Sequence, residues 1–418
     1  MSDKGETGDC ESETLCMAPW VHLNVTARGG IPACCEFDGE FANINEVSIE
    51  DVWNGAEMRA FRARLMQGER DERCWKCYDK EDAGGHSMRQ NFNKHFARHI
   101  DWVKGTGVDG RTSEAKPIYW DVRFSNVCNF RCRSCWHGAS SRWYGDGVAT
   151  GVTAGDEAVI RGVEDADAFF GQVEEFFADV EEIYFAGGEP LLMDEHYRIL
   201  RELDERGRHD VVLRYNTNFS KTEHGGTDVM GLWPRFSRVQ VWASVDGTKE
   251  RGELIRKGQS WRQFEENCRR IREVCPNVWF GTHTTVSVLN IFHLPELHRY
   301  LVEEGLVDMG HMEFELLQVP EHYNIRILPS EMKRDAMRLL RDHQDWIDTY
   351  VRENGLALDI AETGKSEMEK VIAFMTSADW VERVDDFAKV TGRLDEIRSE
   401  DVVRVLPELA PLLGYEPG

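Results

Sequence analysis

The chain has 418 residues and a mass of 48.1 kDa, with 41% hydrophobic residues, 30% charged residues and a formal net charge of -25. So acidic a protein repels phosphate backbones, which argues against bulk DNA or RNA and leaves a basic partner or leader peptide open. No apolar run approaches the roughly 20 residues a membrane helix needs, so no membrane span is expected and the protein is expected in the cytoplasm.

Residues 1–15 read as a disordered tail, because Met1 to Glu13 is acidic and polar where a secretory signal would be basic and then apolar. Cys10 is a free thiol of that tail. The 11 cysteines are grouped. In a reducing compartment such groups point to metal ligation rather than disulfides, and the odd count agrees.

Residues 16–104 form the first of these groups, a loop-rich module with one clear helix, Ile49 to Met66. Its Cys74-Trp75-Lys76-Cys77 turn, with Cys16, Cys34 and Cys35 as distant partners, suits four-thiolate ligation of zinc or of an iron-sulfur cluster. Gly29 stands at the Gly-x4-Cys distance from Cys34 and Gly30 at the same distance from Cys35, so either cysteine completes the set. Gly105 to Lys116 reads as a linker.

Residues 117–329 alternate short apolar strands with amphipathic helices. Strands are expected at Ile118 to Phe124, Glu182 to Ala186, Val211 to Asn216, Val239 to Val245, Val278 to Val288 and Met312 to Val319. Phe169, Phe170, Val173, Phe176, Phe177 and Val180 share one helical stripe. Repeated βα units predict an α/β fold, a partial (β/α)6 TIM-like barrel or an open sheet, with chemistry just after the strand C-termini. The cysteine-rich module precedes it and helices, residues 330–418, follow it.

The first of these strands runs into Cys128-Asn129-Phe130-Arg131-Cys132-Arg133-Ser134-Cys135, a CxxxCxxC loop. Closed 4Fe-4S sites take four thiolates. Three leave one iron open, and an open position is what separates a catalytic metal site from a structural one. The second strand runs into Gly187-Gly188-Glu189-Pro190, where two glycines allow close backbone approach and a carboxylate can receive an amino group. Asn218 follows the third strand, and Ser244 and Asp246 end the fourth, where polar side chains can bond ribose hydroxyls or cap the turn. His283 reads as a hydrogen-bonded core histidine and Cys268 and Cys275 as core, while Arg256, in Leu254-Ile255-Arg256-Lys257-Gly258 after the fourth strand, is open between a motif segment and a surface ion pair.

The CxxxCxxC loop and the GGEP tetrad resemble the radical S-adenosylmethionine (SAM) superfamily. The resemblance implies that Cys128, Cys132 and Cys135 hold a 4Fe-4S cluster whose fourth iron chelates the amino and carboxylate groups of SAM. Reduction then splits SAM to a 5'-deoxyadenosyl radical that abstracts hydrogen from a substrate. It further implies SAM contacts from Gly187, Gly188, Glu189, Pro190, Asn218, Ser244 and Asp246. Family members carry an aromatic residue just before the third cysteine, where this chain has Ser134, with Trp136 after it. The order cysteine, Gly-x4-Cys, Val-Trp-x-Gly helix and CxxC resembles the SPASM or twitch auxiliary-cluster domains, implying that Cys16, Cys34 (or Cys35), Cys74 and Cys77 bind a second 4Fe-4S cluster. The implied partners are a flavodoxin or ferredoxin type electron donor and a peptide or protein substrate. A sugar, nucleoside or cofactor precursor is the alternative substrate, and a non-enzymatic metal-binding or redox-sensing protein the alternative class.

Overall fold

The computed structural model describes residues 12–82 and 84–414, so Cys10 and most of the expected tail lie outside the described residues. The chain divides into two compact units. The first takes the described part of Met1–Asn126 with Val159–Gly187 and Glu195–Leu213; the second takes Val127–Ala158, Gly188–Asp194 and the described part of Arg214–Gly418.

In the first unit β1 (His22–Val25), β2 (Tyr119–Val122) and β3 (Glu182–Phe185) lie side by side and parallel. β4 (Val212–Thr217) begins here and ends in the second unit. β2 and β3 fall where the apolar runs predicted them, whereas β1 was not foreseen. Its His-Leu-Asn-Val sequence is short and polar at alternate positions, yet all four residues are buried, and pairing with β2 in the register His22↔Tyr119 and Asn24↔Asp121 makes it a strand. Tertiary pairing here overrides a weak local signal.

The rest of the module has more helix than expected. Ile49 to Met66 is two helices, Ile49–Trp53 and Ala56–Met66, because Gly55 is extended and serves as the N-cap of the second. Trp75–Asp82 and Met88–His95 follow, the latter opened by a reciprocal Ser87/Gln90 capping box. Trp20, Phe61, Leu65, Phe92 and Phe96 form their shared core. Arg62 is buried among them, donating to Pro19 O at 2.9 and 2.7 Å and to Trp53 O at 2.6 Å. Residues 105–116 have no regular element but are tied down, Trp53 Nε1 donating to Ala115 O at 2.9 Å and Asn54 Nδ2 to Thr112 O at 2.9 Å.

In the second unit β5 (Arg238–Ser244), β6 (Trp279–Val286) and β7 (Met312–Leu316) run parallel at the expected places. The helices Trp261–Val274 and Leu294–Glu303 cross over between them. Alternation along β5 and β6 buries Val241, Ala243, Thr282 and Thr284 and leaves Trp242, Ser244, His283 and Thr285 half-buried on the other face. Cys268 and Cys275 are core residues. The helices Ser330–Glu353, Leu358–Thr376 and Val384–Arg398 complete the unit. Among the described residues no helix is long and apolar enough to cross a membrane.

The helices Leu294–Glu303 and Ser330–Glu353 meet at two buried histidines, His298 Nδ1 lying 2.9 Å from His343 Nε2. Burial pushes their pKa values down, to about 4 and about 2 from an ordinary 6.5. The unfolded chain therefore takes up protons below pH 6.5 that the folded chain refuses. Their contribution to stability is complete above pH 6.5 and is lost as the pH falls, by about 1.4 kcal/mol per pH unit for each imidazole. Urea unfolding of wild type and of His343→Leu should show a shallower loss of stability between about pH 6 and pH 4 in the variant. Parallel profiles would contradict this.

Candidate active site

The three-cysteine loop lies in the second unit and is built around an anchor. Phe130 is buried, and the backbone on either side of Cys132 is pinned, Arg131 N donating to Lys257 O at 2.8 Å and Arg133 N to Ile255 O at 2.7 Å. Trp143 Nε1 holds Cys132 O at 2.7 Å. With the loop fixed in this way Cys128, Cys132 and Cys135 are half-buried and within electrostatic reach of one another. The Phe130 N–H points at Cys128 Sγ from 3.4 Å, Asn218 Nδ2 at the same sulfur from 3.9 Å, and Arg256 Nη1 at Cys132 Sγ from 4.0 Å. Donors aimed at sulfur favour thiolate, the form that ligates iron. Against them, burial pushes the Cys128 and Cys135 thiols up to about 12 and raises Cys132 as well. A metal ion bound at this loop would favour the deprotonated thiols by its own charge.

Glu189 lies beside the loop and is fully buried. Its carboxylate accepts from Thr217 Oγ1 at 2.7 Å, Asn218 N at 2.6 Å and Leu191 N at 3.1 Å, while its own N–H reaches Val127 O at 2.8 Å. Burial nevertheless raises it to about 7, so an incoming N–H donor would stabilise its ionised form. Gly187 and Gly188 before it have φ of 83° and 52°, and Pro190 opens a short 3-10 turn. In the first unit a Cβ on Gly187 would stand 2.9 Å from the Arg123 side chain, so the left-handed turn and the close approach both require glycine.

Asn218 joins the two features. Its backbone bonds Glu189, and its side chain donates to Asn129 Oδ1 at 2.9 Å and accepts from Ser220. Ser244 ends β5 opposite His283, whose Nδ1 is 3.4 Å from Asn216 Nδ2. Ser134 is half-buried on the loop and Trp136 is exposed. Asp246 is buried with both oxygens engaged, by Arg256 Nε at 2.8 Å and Nη2 at 3.1 Å and by Thr285 N at 2.9 Å. Of the two readings of Arg256, the surface ion pair does not hold. Its pair is buried instead, because Asp246 lies inside the site, and that brings the guanidinium to Cys132. Thr217 and Asn129, which the sequence reading did not single out, complete the hydrogen-bonding around Glu189 and Asn218.

The other cysteine group is in the first unit. Cys16, Cys34 and Cys77 are buried and Cys74 half-buried, and these thiols lie within electrostatic reach of one another. Cys35 is exposed, and its leading charged neighbours are Asp121, Glu36 and Arg123. The two cysteines sit in a turn closed by Phe37 N donating to Cys34 O at 3.1 Å, and of the two it is Cys34 that has Cys16 and Cys77 within electrostatic reach. Gly29 agrees with this choice: its φ is 85°, and a Cβ there would fall 2.6 Å from Gly162 O. Among the described residues no three His, Cys, Asp or Glu side chains converge on a single metal ion. A cubane places its ligands on separate irons and does not ask them to converge on one point.

The profile of the radical SAM superfamily matches residues 122–301, and that of an iron-sulfur cluster-binding domain, SPASM, matches residues 16–78. Residues 122–301 carry a radical SAM superfamily domain. The radical SAM domain implies SAM and a 4Fe-4S cluster as cofactors, and the SPASM domain implies auxiliary iron-sulfur, which favours iron over the zinc that ligand counting left open. No curated protein shows a significant match. Among solved structures, native anSMEcpe with bound AdoMet and Cp18Cys peptide is 16% identical, with 55% of this chain and 60% of that chain covered and a TM-score of 0.37. TYW1 with a lysine-pyruvate adduct bound is 11% identical, with 55% of this chain and 71% of that one covered and a TM-score of 0.31. At such scores the likeness supports no argument about this radical SAM protein's substrate.

Proposed function

We propose that this radical SAM enzyme binds its catalytic cluster through Cys128, Cys132 and Cys135 and its auxiliary cluster through Cys16, Cys34, Cys74 and Cys77. The observation that carries the reading is the three-thiol loop with N–H donors aimed at its sulfurs and a buried carboxylate beside it. When bound, the catalytic cluster supplies one electron to the sulfonium of SAM. The chain's own residues do the rest. Gly187, Gly188 and Pro190 shape the turn that admits the methionine end of SAM. Glu189, held by Thr217 and Asn218, receives its amino group. Asn218, Ser134 and Ser244 bond the nucleoside, and Asp246 fixes Arg256 beside Cys132. A flavodoxin or ferredoxin is the proposed electron donor.

The proposed substrate is a peptide or protein, supported by the resemblance to auxiliary-cluster enzymes that act on such chains. Dithionite and SAM with the anaerobically reconstituted protein should yield 5'-deoxyadenosine, and adding a cell extract should raise that yield. A protease-treated extract should lose the stimulation. Stimulation that survives protease and passes a small-molecule filter would replace the peptide by a small metabolite.

A further inference from the structure

The C-terminal helices carry no chemical motif, yet they reach the catalytic loop. Arg133, between Cys132 and Cys135, has a side chain with no exposed surface, and its guanidinium pairs with Asp395 and, at 2.6 Å, with Glu400. Glu400 also takes Lys257 Nζ at 2.7 Å, from the segment to which the loop backbone is pinned. On the other side of Cys132, Arg131 pairs with Asp146 at 2.9 Å, and Asp146 is shared with Arg398 at 2.8 Å. Both Asp146 and Arg398 are buried, and the Arg398 guanidinium lies 5.1 Å from the centre of the Trp143 ring, whose Nε1 holds Cys132 O. Ser399 leaves the helix Val384–Arg398 in the left-handed region, with φ of 53°, and the Glu400 N–H donates back to Asp395 O at 2.9 Å. That turn directs Glu400 toward Arg133.

We propose that Asp395, Arg398 and Glu400 are positioning residues for the catalytic cluster, clamping the loop through the arginines on either side of Cys132 and biasing the cluster's electron affinity. This rests on the reading of Cys128, Cys132 and Cys135 as its ligands. The clamp holds four cations, Arg131, Arg133, Lys257 and Arg398, against three carboxylates, Asp146, Asp395 and Glu400. An excess of positive charge in a dry setting favours the more negative, reduced cluster. Loss of a buried charge partner from such a network is also costly, so the clamp gives the loop one geometry.

The test is an EPR-monitored redox titration of the SAM-responsive cluster in the full-length protein, with hydrogen exchange of the residue 128–135 amides in the metal-free chain as a second readout. Arg398→Gln removes a cation and should shift the reduction equilibrium about tenfold towards the oxidised cluster, a potential about 59 mV lower for one electron. Glu400→Gln removes an anion and should shift it in the opposite direction. Arg398→Lys keeps the charge and should hold the wild-type potential. The loop amides should exchange faster in both glutamine variants. A merely structural clamp would give loss of iron without opposite signs. If Arg398→Gln takes up no cluster, Glu400→Gln and Arg398→Lys carry the same test. Equilibria within about threefold of wild type with unchanged exchange, or shifts of the same sign, would overturn the proposal. A wild-type protein with no SAM-responsive 4Fe-4S signal would instead overturn the ligand assignment beneath it, and the unchanged exchange data would tell the two failures apart.

Discussion

Replacing Cys128, Cys132 and Cys135 together by alanine should abolish reductive cleavage of SAM and lower the iron content from about eight to about four per chain, since each 4Fe-4S cluster carries four irons. The expectation follows from where the sulfurs are. They share one loop whose backbone is held by Ile255, Lys257 and the Trp143 indole, so no distant thiol of the second unit replaces them. Cys268 and Cys275 are sealed in the core. The remaining four irons, those of the proposed N-terminal cluster, should keep their absorbance. The readouts are iron and sulfide analysis with 5'-deoxyadenosine quantified after dithionite reduction. Because the domain core of the second unit does not include these thiols, the variant should stay folded, as its circular dichroism would show. An unchanged yield of 5'-deoxyadenosine would remove the three thiols from the chemistry.

The second large effect separates two neighbouring residues. Cys34→Ala should cost the auxiliary cluster, dropping iron from about eight to about four per chain, whereas Cys35→Ala should leave about eight. The buried Cys34 shares electrostatic reach with Cys16 and Cys77, while the exposed Cys35 looks towards Asp121 and Arg123. In both variants SAM cleavage at the catalytic cluster should persist, since its proposed ligands lie in the other unit. The reverse pattern, iron lost with Cys35 and kept without Cys34, would shift the Gly-x4-Cys register from Gly29 to Gly30.

Much of this architecture is legible in the sequence because it is local. CxxxCxxC and GGEP are contiguous, and apolar runs bounded by turns mark the positions of β2 to β7. What escapes is what depends on partners far along the chain. β1 is a strand because β2 lies beside it, and its polar-apolar alternation runs over only the four residues His22–Val25, too short a run to read. Arg256 looks like any helix-end arginine until Asp246 and the Cys132 sulfur are seen next to it. The contact between Arg133 and Glu400 spans 267 residues, and no periodicity in either segment announces it. The single helix expected from Ile49 to Met66 fails for a smaller reason, a glycine that the apolar pattern passes over but the backbone uses as a cap.

An iron left without a protein ligand can be detected by electron-nuclear double resonance on the dithionite-reduced protein. In a Cys74→Ala/Cys77→Ala variant, which should retain the catalytic cluster alone, SAM labelled with 15N in its methionine amino group should show hyperfine coupling to the cluster, and the coupling should vanish when unlabelled SAM replaces it. A reduced cluster whose spectrum is indifferent to SAM, with no coupling to the label, would mean that its fourth iron is already taken and that SAM does not bind there.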